Sequence, residues 1–312
     1  MTVLDIDARA AVAQSLRDVF ADDSPCDLPA RLDRLGWSEV VQADPAMATT
    51  MLFNEQGGAL ASTRLLDDVV TNAIDPALTG HAVLYPSYSS VGSGLVLGPL
   101  SGVEHVLVPA RDGLRAIPAS TLSLRPFGGF DPASAWQIAV GDLPEGDKVE
   151  GDWRTGQAAG RRAIAAELLG VCRAALDLAI QHTTARRQYG RPLGSFQAVR
   201  HQLAEAYAEV EAAAAALAAA WSVADDPTLA QWGARTAKAR AGQAQAVVLR
   251  RTVQVLGAMG LTEESPMHRF VERGAALDHL LGNHGALFEQ IGRDLLTGSA
   301  AHPVVQIWED RP

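Results

Sequence analysis

The sequence predicts a mostly helical α+β fold with three regions along the chain. Apolar residues recur at helical spacing near both ends, and short runs of Val, Leu and Ile separated by Gly, Pro and Ser occupy the middle. We therefore predict an N-terminal helical domain at residues 1–78 and a small β-domain at 79–152. A C-terminal four-helix bundle with its tail is predicted at 153–312.

The N-terminal region contains two stretches with helical periodicity, Ala8–Phe20 and Leu60–Ile74. Prolines interrupt the sequence between these stretches, and Pro76 closes the region. We predict a helix in each stretch.

The middle region is typical of short strands joined by turns. HAVLYPSY, GLVLG, HVLVPA and GLRAIPA are apolar runs bounded by Gly, Pro and Ser, and GGFDPASAWQIAV is typical of a loop that leads into another strand. The length allows about five to seven strands, by the usual strand size. The turn at 144–146 is predicted to leave the sheet.

The C-terminal region predicts long antiparallel helices with short connections. Gly160–Arg187 contains no proline, and its apolar residues recur at steps of three and four. A second helix begins at about Phe196 and runs through an alanine tract to a break at 225–227. The helices predicted after that break are Leu229–Leu256, Pro266–Arg273 and Leu287–Leu296. This pattern indicates a four-helix bundle.

Composition excludes several classes of protein. The net charge of -10 argues against nucleic-acid binding, which needs a surplus of Lys and Arg. No apolar run is long enough to span a membrane, and the first residues do not resemble a secretory signal, so a cytoplasmic location is expected. Cys26 and Cys172 form no metal pattern and are interpreted as small apolar residues in a reducing compartment.

Common catalytic motifs are absent from the sequence. It contains no Walker A, dinucleotide-binding, nucleophile-elbow or H-E-x-x-H pattern. The eight histidines lack metal-ligand spacing, so no metal site is predicted. The glycines at 92–98 lie among predicted strands rather than before a helix, which argues against a phosphate-binding loop.

The segment ARRQYGRPLGSFQAVRHQLAE at 185–205 places two arginines at a glycine turn between predicted helices. Arginines at such a corner can bind a neighbour's carboxylate or phosphate with two hydrogen bonds. They can also simply complement the helix macrodipole.

This segment closely resembles the R-x-x-F-G-x-x-L-x-x-F-Q turn of the acyl-CoA dehydrogenase family. The resemblance continues in QVLGAMGLTEESPMHRFVER and in the final IGRDLL, in family order. It implies the family's three-domain fold and the FAD-dependent oxidation of an acyl-CoA thioester to the 2,3-enoyl-CoA. In that reaction a carboxylate removes the α-proton, and each FAD is shared between two subunits.

The resemblance assigns five residues to the nucleotide end of a neighbour's FAD. Arg186 matches the arginine that meets the pyrophosphate, and Tyr189 replaces the aromatic residue beside it. Gln197, Gln254 and Gly257 match the remaining positions, whereas Ala258 replaces the second glycine of the family motif. For each residue, helix packing or capping is the alternative interpretation.

The resemblance does not extend to the flavin ring or to the catalytic base. Nothing between Pro76 and Leu107 resembles the family segments that enclose the ring. The two positions at which family members carry the base are occupied by Leu281 and Gly160, so no catalytic residue is predicted. His284 and Glu167 are the candidate substitutes.

Three hypotheses follow from these matches. The first is a non-catalytic subunit of a heteromeric acyl-CoA dehydrogenase, as in the α2β2 steroid-CoA enzymes of actinobacteria, with electrons passed to an electron-transfer flavoprotein through the catalytic partner. The second is a self-sufficient homotetramer with a relocated base. The third is an acyl-CoA-binding scaffold without flavin.

Overall fold

The computed structural model describes residues 6–21, 28–86, 94–129 and 131–297. Helices lie at both ends of the chain, and two small sheets lie in the middle. The predicted mostly helical α+β fold is confirmed. Cys26 lies outside the described residues, whereas Cys172 is fully buried, and burial raises the pKa of its thiol to about 12.

The described N-terminal residues form five helices: α1 (Ile6–Ala21), α2 (Leu28–Arg34), α3 (Trp37–Ala43), α4 (Pro45–Gly58) and α5 (Leu65–Ile74). The predicted start at Leu60 is wrong, because α5 begins only at Leu65. Leu60 adopts the left-handed conformation at φ 54°, which a helix cannot continue through. Pro45 begins a helix rather than ending one, since Asp44 caps the first turn of α4 by accepting from the Met47 N–H.

The described middle residues form eight strands, not five to seven: β1 (Ala82–Val83), β2 (Tyr85–Pro86), β3 (Gly94–Val96), β4 (His105–Ala110), β5 (Gly113–Pro118), β6 (Leu124–Pro126), β7 (Gln137–Ala139) and β8 (Asp147–Val149). Several are only two or three residues long, too short to give a sequence pattern. The strands pair in the orders β1-β4-β5-β8 and β2-β3-β7-β6.

The turn at 144–146 leads into β8 rather than out of the sheet, which corrects the sequence prediction. A side chain at Gly146 would meet the carbonyl oxygen of Ala116 at 2.6 Å. Glycine therefore allows the chain to approach β5 closely before β8 pairs with it.

Five helices of the remaining described residues form the bundle: α6 (Trp153–Ala185), α7 (Gln197–Ser222), α8 (Ala230–Leu256), α9 (Met267–His279) and α10 (His284–Leu296). The first three are the long helices expected from the sequence. The shorter α9 and α10 both pack against α8. None of the helices in the described parts of the chain is long and apolar enough to cross a membrane.

One hydrophobic core joins the N-terminal helices to the bundle. Helices α4 and α6 cross at two glycines. A Cβ atom on Gly57 would lie 2.2 Å from the backbone carbonyl oxygen of Glu167, and one on Gly170 would lie 2.0 Å from the backbone carbonyl oxygen of Asn54. No side chain fits at these points, so the helices pack with their backbones in contact. This crossing fixes the N-terminal helices against the face of α6.

Candidate functional site

Gly160 and Leu281, the two positions to which the resemblance assigns a base, lie against each other. Gly160 is on α6, and Leu281 is in the connection between α9 and α10. A Cβ atom at Gly160 would lie 2.7 Å from Leu281 Cδ1 and 2.9 Å from Val70 Cγ2. Leu281 is only 9% exposed. The two positions therefore converge on one place, and apolar groups fill it.

The connection that holds Leu281 is fixed by hydrogen bonds from two buried cations. Leu281 has a left-handed backbone, with φ 57°. Arg161 Nε donates to the Leu281 carbonyl oxygen at 3.2 Å, and Lys238 Nζ donates to those of Asp278 at 2.9 Å and Gly282 at 3.2 Å. These bonds satisfy one carbonyl group in the last turn of α9 and two in the connection that follows it.

Lys238, Asp278 and His284 form a charged group beside this connection. Lys238 Nζ lies 3.6 Å from Asp278 Oδ1, and burial lowers the pKa of Lys238 to about 8 although Asp278 opposes the change. His284 Nδ1 lies 2.7 Å from Asp278 Oδ2. The His284 side chain is 34% exposed, so its ring is accessible to solvent while Asp278 orients it.

Glu167, the other candidate base, is engaged in a buried network. Its carboxylate accepts from Arg273 Nε at 3.1 Å and from a second guanidinium nitrogen of the same residue. Arg273 also contacts Asp131 Oδ2 at 3.3 Å and lies against the Trp136 ring. Burial alone would lower the pKa of Arg273, but the two carboxylates raise it. The network joins α6, α9 and the loop before β7.

Of the predicted FAD-contacting residues in the first segment, Tyr189 lies on a short hairpin that joins Arg186 at the end of α6 to Gln197 at the start of α7. Strands β9 (Arg187–Gln188) and β10 (Arg191–Pro192) enclose a two-residue turn in which Tyr189 and Gly190 both have positive φ. Tyr189 is 92% exposed. Arg186 ends α6, and its exposed side chain forms no hydrogen bond or ion pair with the described residues.

Phe196, which sequence reasoning left without a role, supports this hairpin. Its ring meets Tyr189 edge-on at 6.2 Å, and the Arg191 guanidinium lies over its face at 4.0 Å. Gln197 follows at the start of α7 and is exposed. The available signal was the aromatic residue in GSFQ, immediately before the second helix.

Gln254 and Gly257 lie at the same end of the bundle as the hairpin. Helix α8 runs antiparallel to α7, and Arg251 near its end pairs with Glu205 near the start of α7 at 2.5 Å. Gln254 and Ala258 are exposed, and Gly257 has a positive φ of 64°. The five predicted residues therefore share one exposed end, remote along α6 from Gly160.

Chemically, these two places differ. The exposed end offers an unpaired guanidinium, amide side chains and a glycine backbone, which suit phosphate and nucleotide groups presented by another molecule. The buried place at Gly160 and Leu281 offers no acidic group from either residue.

Comparisons with known proteins agree with the fold. Residues 154–296 match the family described as acyl-CoA dehydrogenase, C-terminal domain. Acyl-CoA dehydrogenase IpdE2 of Mycobacterium tuberculosis is 35% identical over 118 residues, which are 38% of this chain and 36% of IpdE2. FadE27 of the same species is 33% identical over 135 residues, covering 41% and 36%. The matched stretch thus spans about a third of these relatives.

Solved structures resemble the chain over nearly its whole length. A variant of the steroid ACAD Tcur3481-Tcur3483 has a TM-score of 0.74 at 25% identity, covering 95% of this chain and 99% of the other. The ChsE4-ChsE5 complex from Mycobacterium tuberculosis gives 0.74 at 22% identity, covering 96% and 100%. Butyryl-CoA dehydrogenase from Megasphaera elsdenii gives 0.72 at 17% identity, covering 95% and 100%.

Proposed function

We propose that this chain, whose residues 154–296 match the acyl-CoA dehydrogenase C-terminal domain and whose fold resembles that of solved acyl-CoA dehydrogenases, is the non-catalytic subunit of a heteromeric acyl-CoA dehydrogenase. The complex introduces a 2,3-double bond into an acyl-CoA thioester. The partner subunit supplies the base, and this chain completes the partner's FAD site.

The observation that carries this proposal is the apolar contact between Gly160 and Leu281. Removal of the α-proton needs a proton acceptor within hydrogen-bonding reach of the substrate. At Gly160 even one added carbon would meet Leu281 and Val70. The place that a base would occupy is therefore closed by packing, and a carboxylate there would be buried among apolar groups at high cost.

The residues at the exposed end fit the nucleotide part of FAD. Arg186 would hold the pyrophosphate, with Tyr189 beside it, and Gln197, Gln254 and Gly257 would contact the adenosine end. The fit depends on the free guanidinium of Arg186 and on the positive φ of Gly257. When bound, FAD supplies a hydride acceptor for the substrate β-carbon.

Two of the similar structures are named as paired proteins, Tcur3481-Tcur3483 and ChsE4-ChsE5, and the first is a steroid ACAD. These paired names support assembly with a different subunit, and we propose a heterotetramer with two copies of each. A steroid side-chain CoA is the proposed substrate, and an electron-transfer flavoprotein would receive electrons from the partner.

Flavin content tests the proposal directly. The chain is purified alone and together with an acyl-CoA dehydrogenase subunit encoded beside it in the genome. We expect no flavin absorbance for the chain alone, and one FAD per pair of subunits in the complex. Flavin bound by the chain alone, together with acyl-CoA oxidation, would overturn the proposal.

Two arginine variants test the proposed cofactor contact. Arg186→Ala removes the guanidinium from the exposed end of α6, whereas Arg154→Ala removes an exposed guanidinium from the opposite end of the same helix. We expect the complex to lose FAD with Arg186→Ala by about tenfold or more in affinity, since charge-assisted hydrogen bonds contribute ~1.5–3 kcal/mol. The Arg154→Ala complex should keep its FAD. Equal retention would favour a scaffold without a flavin contact.

A self-sufficient homomer is the second candidate, and the contact between His284 and Asp278 favours it. Asp278 contacts the ring at 2.7 Å and would orient it toward a substrate. His284→Ala distinguishes the two functions. In the heteromeric case turnover by the complex changes less than about twofold, whereas a base in this chain requires a loss of about 100-fold or more.

A further inference from the structure

A cavity of about 590 Å³ lies between helices α1, α4, α6 and α7, away from the exposed end that bears Arg186. Its volume is in the range of sites that bind small molecules. The wall contributed by α7 begins at Ala214 and ends at Trp221, seven residues or about 10 Å along the helix axis. The cavity does not belong to the proposed flavin contact.

Alanines create the space. Ala10 and Ala13 of α1, Ala46 of α4, and Ala214 and Ala218 of α7 all line the cavity. Larger side chains at these positions would fill it. Met47 and Met51 form much of the remaining α4 wall, and flexible thioethers adapt to ligands of varied shape. The interior is suited to an apolar body.

Charge is concentrated at two arginines. Arg9 and Arg173 line the cavity, against one carboxylate, Asp44, whose Oδ1 already accepts the Met47 N–H at the start of α4. Arg173 donates to Asn54 Oδ1 at 2.9 Å, and its second terminal nitrogen lies 4.0 Å from Glu211. That distance leaves the guanidinium able to bind a closer anion. The Arg173 side chain is 41% exposed, at an edge that a ligand can reach.

Unpaired buried donors lie at the Trp221 end. Trp221 lines the cavity, and its indole N–H has no hydrogen-bond partner within the described parts of the chain. The Arg162 guanidinium lies 4.6 Å from the centre of the same ring, is 7% exposed, and leaves Nε and one terminal nitrogen without partners. Burial also lowers the pKa of Arg162 to about 10. The Arg162 guanidinium over the Trp221 ring therefore adds positive charge near this end of the cavity.

We propose that this cavity binds an apolar molecule with a single carboxylate, with its hydrocarbon body between Leu169 and Trp221 and its carboxylate on Arg173 and Arg9. Apolar walls, a net positive lining and a length of about two helical turns along α7 match this chemistry. The site is independent of the proposed flavin contact, and neither requires the other.

Isothermal titration of the full-length chain with decanoate, decanol and decyltrimethylammonium tests the proposal. The three probes share a ten-carbon chain and differ in head-group charge. We expect decanoate to bind at least tenfold more tightly than decanol, and the cation to bind most weakly. Equal binding of decanoate and decanol, or no binding of decanoate at millimolar concentration, would overturn the proposal.

Variants locate the binding. Ala214→Phe places a ring in the cavity and should weaken decanoate binding at least tenfold. Ala215→Phe, one residue along and exposed outside the cavity lining, should leave binding unchanged.

Arg173→Met should abolish the preference for decanoate over decanol. If Ala214→Phe unfolds the chain, as judged by circular dichroism, Ala218→Phe at an exposed position of the same wall replaces it. Undiminished binding in a folded cavity variant would show that the carboxylate binds elsewhere.

Discussion

At the residue scale, Asp67 on α5 links proton binding to stability. Its side chain is 2% exposed, and Oδ1 accepts the Tyr85 hydroxyl at 2.9 Å. Burial raises the pKa of Asp67 to about 8, although the Tyr85 hydrogen bond opposes the change. The folded chain therefore keeps a proton that the unfolded chain releases at about pH 4. The contribution is fully present below pH ~4 and is lost as the pH rises through about 8.

Urea unfolding at pH 5 and pH 8 measures this effect. The wild-type free energy of unfolding should fall by more than the ~1.4 kcal/mol that one pKa unit represents. Asp67→Asn, which stays neutral, should remove most of that fall. Asp142→Asn at an exposed position is the control and should behave as wild type. A pH dependence unchanged in Asp67→Asn would contradict the assignment.

The contact between Gly160 and Leu281 gives a second prediction at this scale. Gly160→Ala should destabilise the chain by about 1–3 kcal/mol, because the new methyl group meets Leu281 and Val70. Adding Leu281→Ala should recover part of that loss, since it removes the nearest side chain. Chemical denaturation of the two single variants and the double variant gives the coupling free energy. Strict additivity would mean that the two positions are not in contact.

At the element scale, Arg273 joins α6, α9 and the loop that precedes β7. Replacing it with methionine leaves Glu167 and Asp131 buried without their cation, which should cost about 3–5 kcal/mol. Arg269→Met, on the same helix but exposed, should change stability by less than about 0.5 kcal/mol. Thermal denaturation of both variants checks this. Similar melting temperatures would show that the network contributes little.

The elements differ in how well the sequence predicted them. Helices α1, α6, α7 and α8 were predictable because long amphipathic or apolar periodicity is a local property. The helices between α1 and α5 were not predicted. Proline usually indicates a break, but Pro45 is the first residue of α4. Strands of two residues give no pattern at all.

Some residues of the candidate site could also be proposed from the sequence, and others could not. The residues proposed to contact FAD lie in one continuous segment and at one helix end, so a resemblance between sequence motifs was enough to propose them. The buried pairs could not be predicted, because Lys238 and the Asp278 oxygen it contacts are 40 residues apart, and Arg273 and Glu167 are 106 residues apart. Such pairings depend on how the helices cross, which single-sequence periodicity does not specify.

At the scale of the whole molecule, the two functional regions require different surroundings. The contact between Gly160 and Leu281, where we propose that a base is missing, is closed by packing, whereas the hairpin and the end of α8 are exposed and Arg186 has no partner among the described residues. A self-sufficient enzyme needs the first region open. A subunit that completes another protein's site needs only the second, and this asymmetry favours assembly with a different chain.

Native mass spectrometry of the co-purified complex tests that assembly. We expect two copies of each subunit. Tyr189→Ala should weaken assembly, because a ring that is 92% exposed contributes little to the stability of the isolated chain but would contribute much if the partner buried it. The free energy of unfolding of the isolated Tyr189→Ala chain should stay within about 0.5 kcal/mol of the wild-type value. Tyr207→Ala, an exposed aromatic residue further along α7, is the matched comparison and separates a hairpin effect from a general loss of surface aromatics. Unchanged assembly in Tyr189→Ala, or equal losses in both variants, would place the partner contact outside the hairpin.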